Sequence, residues 1–570
     1  MADQKILPTS LGGSYADVDH KVALDPEIAP AVHAENEDEN FKKDHMDFNR
    51  VDKEVAKYAF DVAVTISPED NSRLKRKIDK RVLSIMIFTY FLQALDKGTM
   101  SFASIMGLPA DLHLKGQQFA WLTTCIYIAV LIVEYPTNLL IQRLPIAKYL
   151  GVSIILWGAT LALHAVAKNF TTIVILRTLL GIFEAVCQPS FVYLSSMWYK
   201  REEQAATVSY WYMMNGMQQI VGGLLAYCFS LIKSPPLSIK SWQAIFITYG
   251  CLSVLWGIFV LVYMPDSPMR AKCFNEEDKK LLVERVRSNQ TGVQNKHFRV
   301  EQLWEAFRDP QMWCYCLITF CTTLPTSGLG AFANIIIKSF HFTTLQTQLL
   351  AMVLGAYIIL ILLSSTWLIA KTKQNTLVMG IYVAPSIIGT IVLLTVQNTS
   401  RATQAGLLFS YYLVLSFWAA QTIAISMISR NIGGQTKKTV VVAANFIAWA
   451  TGNAIGPQVF LAWNAPRYII AFSTHMGCYV LLVLVVIFLH FYLKAQNSGK
   501  DKLQAELAAS GNVVDEGMVH AFDDLTDKEN PNFRPSPQLN PRHPHNSGLG
   551  TSRVLRLVNR CVSTVLGDAW

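Results

Sequence analysis

The chain of 570 residues is 52% hydrophobic and 16% charged, with a net charge of +9 and a mean hydropathy of +0.30, far greasier than a soluble protein of this size requires for its cores. That excludes a soluble globular class and predicts an integral membrane protein, with the lipid bilayer as its largest partner. The cations are spread over loops and are not interleaved with aromatic residues in one patch, which argues against a nucleic-acid partner.

Residues 1–72 are polar, carry the acidic run "ENEDEN" and contain no apolar h-region, so they read as a disordered cytoplasmic tail without a cleaved signal peptide. Beyond them, apolar stretches of about 17–25 residues, the length that crosses a ~30 Å hydrocarbon core as helix, recur along the chain. Twelve are expected, at 82–108, 117–140, 149–166, 172–194, 207–231, 242–263, 311–337, 347–370, 376–396, 404–428, 439–461 and 469–493. The flank "RLKRKIDKR" (73–81) and the loops after even-numbered spans hold most of the Lys and Arg, so both termini are expected in the cytoplasm.

Span one places Asp96 and Lys97 side by side inside an apolar run. Asp96 lies ~21 Å in from the cytoplasmic side, and Lys97 one step further. Charge in lipid is expensive and marks a functional path by default. Near the end of span two, "EYPTNLLIQRLPIAKYL" (134–150) holds Glu134, Asn138, Arg143 and Lys148, candidates for a charge relay that locks the cytoplasmic loop in one conformation. The bland alternative is a set of topological determinants with snorkelling cations.

Span four carries Arg177, Gly181, Glu184 and Gln188 at i, i+4, i+7 and i+11, a single helical face that needs water or a polar partner. Pro189 follows and permits a bend beside this stripe. The bland reading pairs Asp96, Lys97, Arg177 and Glu184 as structural ion pairs. The functional reading has an anion held by Lys97 or Arg177 and a proton carried by a carboxylate. Glu184, near mid-membrane, is the favoured carrier and Asp96 the second candidate.

Pro265 to Pro310 brackets the one long polar interior loop, with "NEEDKKLLVERV" predicted as an amphipathic helix capped by Asn275. The implied units are 73–264, a cytoplasmic linker 265–310, 311–494, and a cytoplasmic tail 495–570. At a constant offset of 230, "GTMSFASIM" (98–106) matches "GLGAFANII" (328–336), "SSMWYK" (195–200) matches "ISMISR" (425–430), and Asn215 and Gly222 match Asn445 and Gly452. Two parallel six-helix repeats follow, with a binding site between them near mid-bilayer. The counterparts of the four charged residues are Thr326, Ser327, Leu407 and Val414, so the second half is built without them. Asn334, Trp418, Gln421 and Asn445 are the second-half candidates for completing the pocket, with core packing the alternative reading of each.

The ten cysteines are scattered, and Cys314, Cys316 and Cys321 have no ligand-spaced neighbours, so no metal is expected. Sequons occur at Asn169, Asn289 and Asn398. No nucleophile elbow, zinc-binding helix or nucleotide-binding loop occurs, so neither an enzyme nor a nucleotide-driven pump is expected.

The strings "RKIDKRVL", "LDKGTMSFAS", "WLTTCIYIAVLIVEYPTNLLIQR", "LRTLLGIFEAVCQPSFVYLSSMWYKREEQ" and "YMPDSPMRAKCFNEEDK" resemble the anion:cation symporter family of the major facilitator superfamily, and within it the fungal allantoate-permease-like branch. The resemblance implies a twelve-helix, all-α membrane protein that imports a small carboxylate, such as allantoate, ureidosuccinate, nicotinate or pantothenate, with a proton as coupling ion and no other cofactor. It implies a monomer at the plasma membrane. In relatives that carry glutamate or sialic acid, an arginine of span four binds the carboxylate and a glutamate seven residues later handles the proton; Arg177 and Glu184 match that spacing. Asp96-Lys97 stands where many members have Asp-Arg, which keeps the charge and loses the bidentate fork. Span seven lacks the arginine of glutamate carriers, and the chain continues past "DKENPNFR" (527–534), where such permeases usually end. An exchanger or efflux carrier and a non-transporting nutrient sensor are the alternative readings.

Overall fold

The computed structural model describes residues 66–231, 239–287 and 299–509 as helices joined by short loops, and 526–529 as a turn, with no strand among them. The acidic tail through residue 65, the sequon at Asn289 and the extension after Arg534 lie outside the described residues.

The first helix, α1 (Pro68–Ile78), precedes the expected bundle. Ser67 Oγ accepts the Asp70 amide at 3.1 Å, Pro68 opens the first turn, and Lys75, Arg76 and Lys77 occupy the last. A π turn at Asp79–Leu83 leads into α2 (Ser84–Ile105). There follow α3 (Gln118–Arg143), α4 (Ile146–Leu163), α5 (Phe170–Glu184), α6 (Cys187–Trp198), α7 (Arg201–Tyr212), α8 (Met214–Ser230) and α9 (Ser241–Tyr263). Two linker helices, α10 (Glu276–Arg287) and α11 (Val300–Arg308), come next. The second set is α12 (Pro310–Ser339), α13 (Thr344–Thr372), α14 (Asn375–Thr395), α15 (Arg401–Val414), α16 (Trp418–Asn431), α17 (Gln435–Ile455) and α18 (Ile469–Ala509).

Ten helices or helix pairs among the described residues are long and apolar enough to cross a membrane. The other two expected spans are α2, diluted by Gln93, Asp96 and Lys97, and α8, only 17 residues long. Span four is broken between Glu184 and Cys187, one turn ahead of Pro189, which has no N–H to give Ala185.

Within the first set α4 packs along α9 and α3 along α5; within the second, α12 lies against α17 and α14 against α15 and α18. The two sets meet along α2 with α12, α3 with α17, and α8 with α13. At the last contact the backbones nearly touch: a methyl group on Gly223 would sit 2.7 Å from the carbonyl oxygen of Gln348.

Toward the end remote from α1 and residues 526–529 the sets are also hydrogen-bonded. Gln458 Nε2 donates to Thr124 Oγ1 at 2.9 Å, Thr124 Oγ1 to the Ala454 carbonyl at 2.8 Å, and Gln117 Nε2 to the Gln458 carbonyl at 3.1 Å. Gln348 Nε2 donates to Ser230 Oγ at 2.7 Å.

At the opposite end each set is fastened to its own linker helix by a buried cation. Arg285 of α10 pairs with Glu203 at 2.6 Å and donates to Asn71 Oδ1 at 2.8 Å. Lys437 of α17 meets Glu305 of α11 at 2.9 Å, Asp309 at 2.7 Å and Asp527 at 2.6 Å. Burial raises the Asp309 carboxyl, but Lys437 outweighs it and holds the group below its ordinary value. Asp527 belongs to the segment 526–529, which returns to this site after α18 has run on to Ala509, well past residue 494. The Gly433 amide donates to Asp527 Oδ1 at 3.4 Å, and Lys500 Nζ donates to the Asp527 carbonyl.

Candidate functional site

Adjacent residues on a helix point ~100° apart, so Asp96 and Lys97 address different neighbours. Asp96 turns to α4 and α5: Trp157 Nε1 donates to its Oδ2 at 2.9 Å, and Arg177 Nη1 lies 4.0 Å from its Oδ1. Arg177 also sits over the Phe246 ring, 5.6 Å from its centroid, and Phe246 stacks on His164 at 5.3 Å. This half of the quartet is sealed, with side-chain exposures of 1% for Asp96 and 2% for Arg177.

Lys97 turns the other way. Its Nζ lies 3.0 Å from Glu184 Oε1, and its side chain is 32% exposed where that of Glu184 is 3% exposed. Its neighbours include Tyr90 and Tyr127. Gln188 and Asn215 both reach the Tyr90 hydroxyl, Asn215 at 3.1 Å. Tyr127 meets Trp449 of α17 edge-on at 5.7 Å, and Trp449 stacks on Phe446 at 5.5 Å, so the Lys97 environment includes both sets of helices. The charges of the quartet sum to zero, two carboxylates against two cations.

The structure therefore brings Lys97, Glu184 and Gln188 together, and it places Arg177 behind them as the partner of Asp96. In this conformation Arg177 does not meet the space between the sets; the sealing residue is Trp157, whose indole gives no sign in the sequence of being other than one more apolar side chain.

Of the second-half candidates, Asn445 accepts from Thr319 Oγ1 at 2.6 Å, bonding to the first helix of its own set as Asn215 does in the other. Trp418 Nε1 and Gln421 Oε1 have no hydrogen-bond partner among the described residues. Asn334 donates to Ser101 Oγ of α2 at 3.2 Å and so joins the contact between the sets.

The four expected relay residues do not assemble. Asn138 Nδ2 donates to the Glu134 carbonyl at 2.9 Å and faces its Oε1 at 3.4 Å, while Arg143 and Lys148 are exposed. The carboxylate that does reach this loop is Asp266, which accepts the Lys148 amide at 3.3 Å. At the remote end Asp111 accepts from Trp242 Nε1 at 2.6 Å and from Lys240. Burial raises the Asp111 carboxyl, but these hydrogen bonds and the Lys240 charge outweigh it and hold the group below its ordinary value.

The sequence profile of the Major Facilitator Superfamily matches residues 86–457. An uncharacterized transporter of Schizosaccharomyces pombe is 36% identical over 84% of this chain and 92% of its own length. The allantoate permease of Saccharomyces cerevisiae is 32% identical over 83% of this chain and 87% of its own length. A thiamine pathway transporter of the same yeast is 34% identical over 82% of this chain and 87% of its own. Among solved structures, a D-xylose-proton symporter shares the fold with a TM-score of 0.56 at 14% identity, over 72% of this chain and 96% of that one. A bacterial homologue of the human lysosomal transporter Spinster, inward-facing and unoccupied, gives 0.55 at 14%, over 74% and 97%.

Proposed function

Because this chain belongs to the major facilitator superfamily and is an integral membrane transporter of small molecules, we propose that it is a proton-coupled symporter for a small organic monoanion, with Lys97 as the group that takes the anion and Glu184 as the group that takes the proton. The observation that carries this reading is the Lys97–Glu184 pair: one open cation whose counter-ion is buried.

An incoming carboxylate competes with Glu184 for Lys97. When it wins, Glu184 is left in a low-dielectric site without a cation, and such a carboxylate is stabilised by taking up a proton. Anion and proton thus load together, and the site keeps a net charge of zero, the state that crosses a membrane at least cost. Asp96, in contact with Arg177 and Trp157, fixes the helix that carries Lys97. Trp418 Nε1 and Gln421 Oε1, without hydrogen-bond partners among the described residues, supply an indole N–H and an amide oxygen to the cargo.

Both termini lie in the cytoplasm at the plasma membrane in this proposal, so the hydrogen-bonded remote end is the extracellular one and the conformation is closed to the outside. The two helix sets rock about the Lys97 region to expose it alternately. Similarity to the allantoate permease supports allantoate or a similar small carboxylate as cargo.

The test is uptake into proteoliposomes of labelled allantoate, with ureidosuccinate, nicotinate and pantothenate as competitors. An inward proton gradient drives accumulation of the preferred anion, and a protonophore abolishes it. Accumulation that persists with the protonophore present rejects proton coupling.

A further inference from the structure

The linker helix α11 is amphipathic in an unusual sense: both of its faces are committed. On one, Gln302 Oε1 accepts the amides of Thr436 at 3.1 Å and Lys437 at 3.3 Å, and Glu305 pairs with Lys437. On the other, Trp304 and Phe307 stand 58% and 43% exposed, with ring centroids 6.4 Å apart. A helix tied down by its polar residues with tryptophan turned outward, one residue before a membrane-crossing helix begins, lies at the headgroup level of a bilayer.

Beside it is a groove of about 560 Å³ between α12 and α18, walled by Phe307, Trp313, Leu317, Leu484 and Phe488, with Arg308 the charged residue of its lining. Trp313 Nε1 donates to the Phe307 carbonyl at 2.9 Å, which fixes the entrance. The carboxylates nearest in sequence are taken: Glu305 and Asp309 both belong to Lys437. Arg308 is exposed and has no carboxylate partner among the described residues.

We propose that one anionic phospholipid of the leaflet on the side of the termini seats here, its phosphate on the Arg308 guanidinium and an acyl chain along Leu317, Leu484 and Phe488. An arginine without a counter-ion recognises a phosphate oxygen through charge-assisted hydrogen bonds. A zwitterionic lipid brings its own cation to the same place, so the site discriminates by net charge. The seated lipid joins α11 to α12 and α18, the junction where the linker enters the second helix set. The site is independent of the Lys97 region and of which cargo is carried.

The experiment is native mass spectrometry of the full chain released from nanodiscs containing equal amounts of phosphatidylserine and phosphatidylcholine. One phosphatidylserine is retained with about tenfold preference, the worth of one charge-assisted contact. Arg308→Gln brings the ratio to near one, Arg308→Lys keeps part of the preference, and Leu484→Trp, which fills the groove, loses both lipids while the purified protein stays monodisperse. Equal retention of the two lipids by the native chain overturns the proposal, as does an Arg308→Gln variant that keeps the preference. In a parallel arm inorganic phosphate is added to the delipidated protein. If it raises the melting temperature as much as phosphatidylserine does, the site reads a free anion and the acyl groove is irrelevant, which also overturns the proposal.

Discussion

Lys97 and Glu184 are joined at 3.0 Å, yet one is a third exposed and the other almost sealed. A pair so divided can be opened from one side only, by a competitor for the lysine. Replacing Lys97 with Gln should raise the KM for the cargo about 10- to 100-fold through loss of a charge-assisted contact. Lys97→Arg should recover part of it. Initial rates of labelled uptake across a concentration series read the difference.

Glu184→Gln leaves Lys97 free for the anion and removes the proton acceptor. Counterflow of labelled against unlabelled cargo should persist, while accumulation against a gradient stops. A Glu184→Gln protein that still concentrates cargo would move the proton to another group, Asp96 being the next candidate.

Arg177 is a structural partner in this conformation, and its loss should register in stability before it registers in affinity. Arg177→Met leaves Asp96 buried without its cation, at a cost of about 3–5 kcal/mol. Adding Asp96→Asn to that variant removes the orphaned carboxyl and should restore much of the melting temperature. If Arg177→Met melts like the native chain but no longer binds cargo, Arg177 reaches the anion in another conformation.

The Asp111 clamp at the remote end gives a pH signature with a definite sign. Its carboxyl is held below the ordinary aspartate value of 3.8, so the charged form is favoured when the chain is folded. The stabilisation is fully present above 3.8 and fades as pH falls through the lowered value. Melting curves of the native chain and of Asp111→Asn should differ by a constant amount from pH 5 to 7 and begin to converge only below about pH 4.

The helical plan was open to reading because apolar runs of membrane-crossing length leave few alternatives, and the offset of 230 residues exposed the pairing of Asn215 with Asn445. Helix α1 was not read: residues up to 72 were expected as disordered tail and the basic run after them as a topological signal, although Ser67, Pro68, Glu69 and Asp70 followed by basic residues are the marks of a helix start. The charged quartet was visible as residues and not as pairs. Helical spacing places Arg177 and Glu184 on one face, but which of two adjacent side chains on α2 meets each of them depends on the rotation of α2 against α5. Single-sequence periodicity carries no information on that rotation. Trp157 and Asp266 were missed for the same reason: each acts on a residue distant in sequence, 61 positions away for Trp157 and 118 for Asp266.

The return of Thr526–Glu529 to the foot of α17 has a practical consequence for anyone engineering this chain. Trimming it back to Ala509, where the last long helix ends, would strip one of three carboxylates from Lys437, which is buried with 0% of its side chain exposed. A reporter fused after Glu529 keeps that ammonium neutralised, whereas one fused upstream of Thr526 confounds any measured defect with a loosened junction.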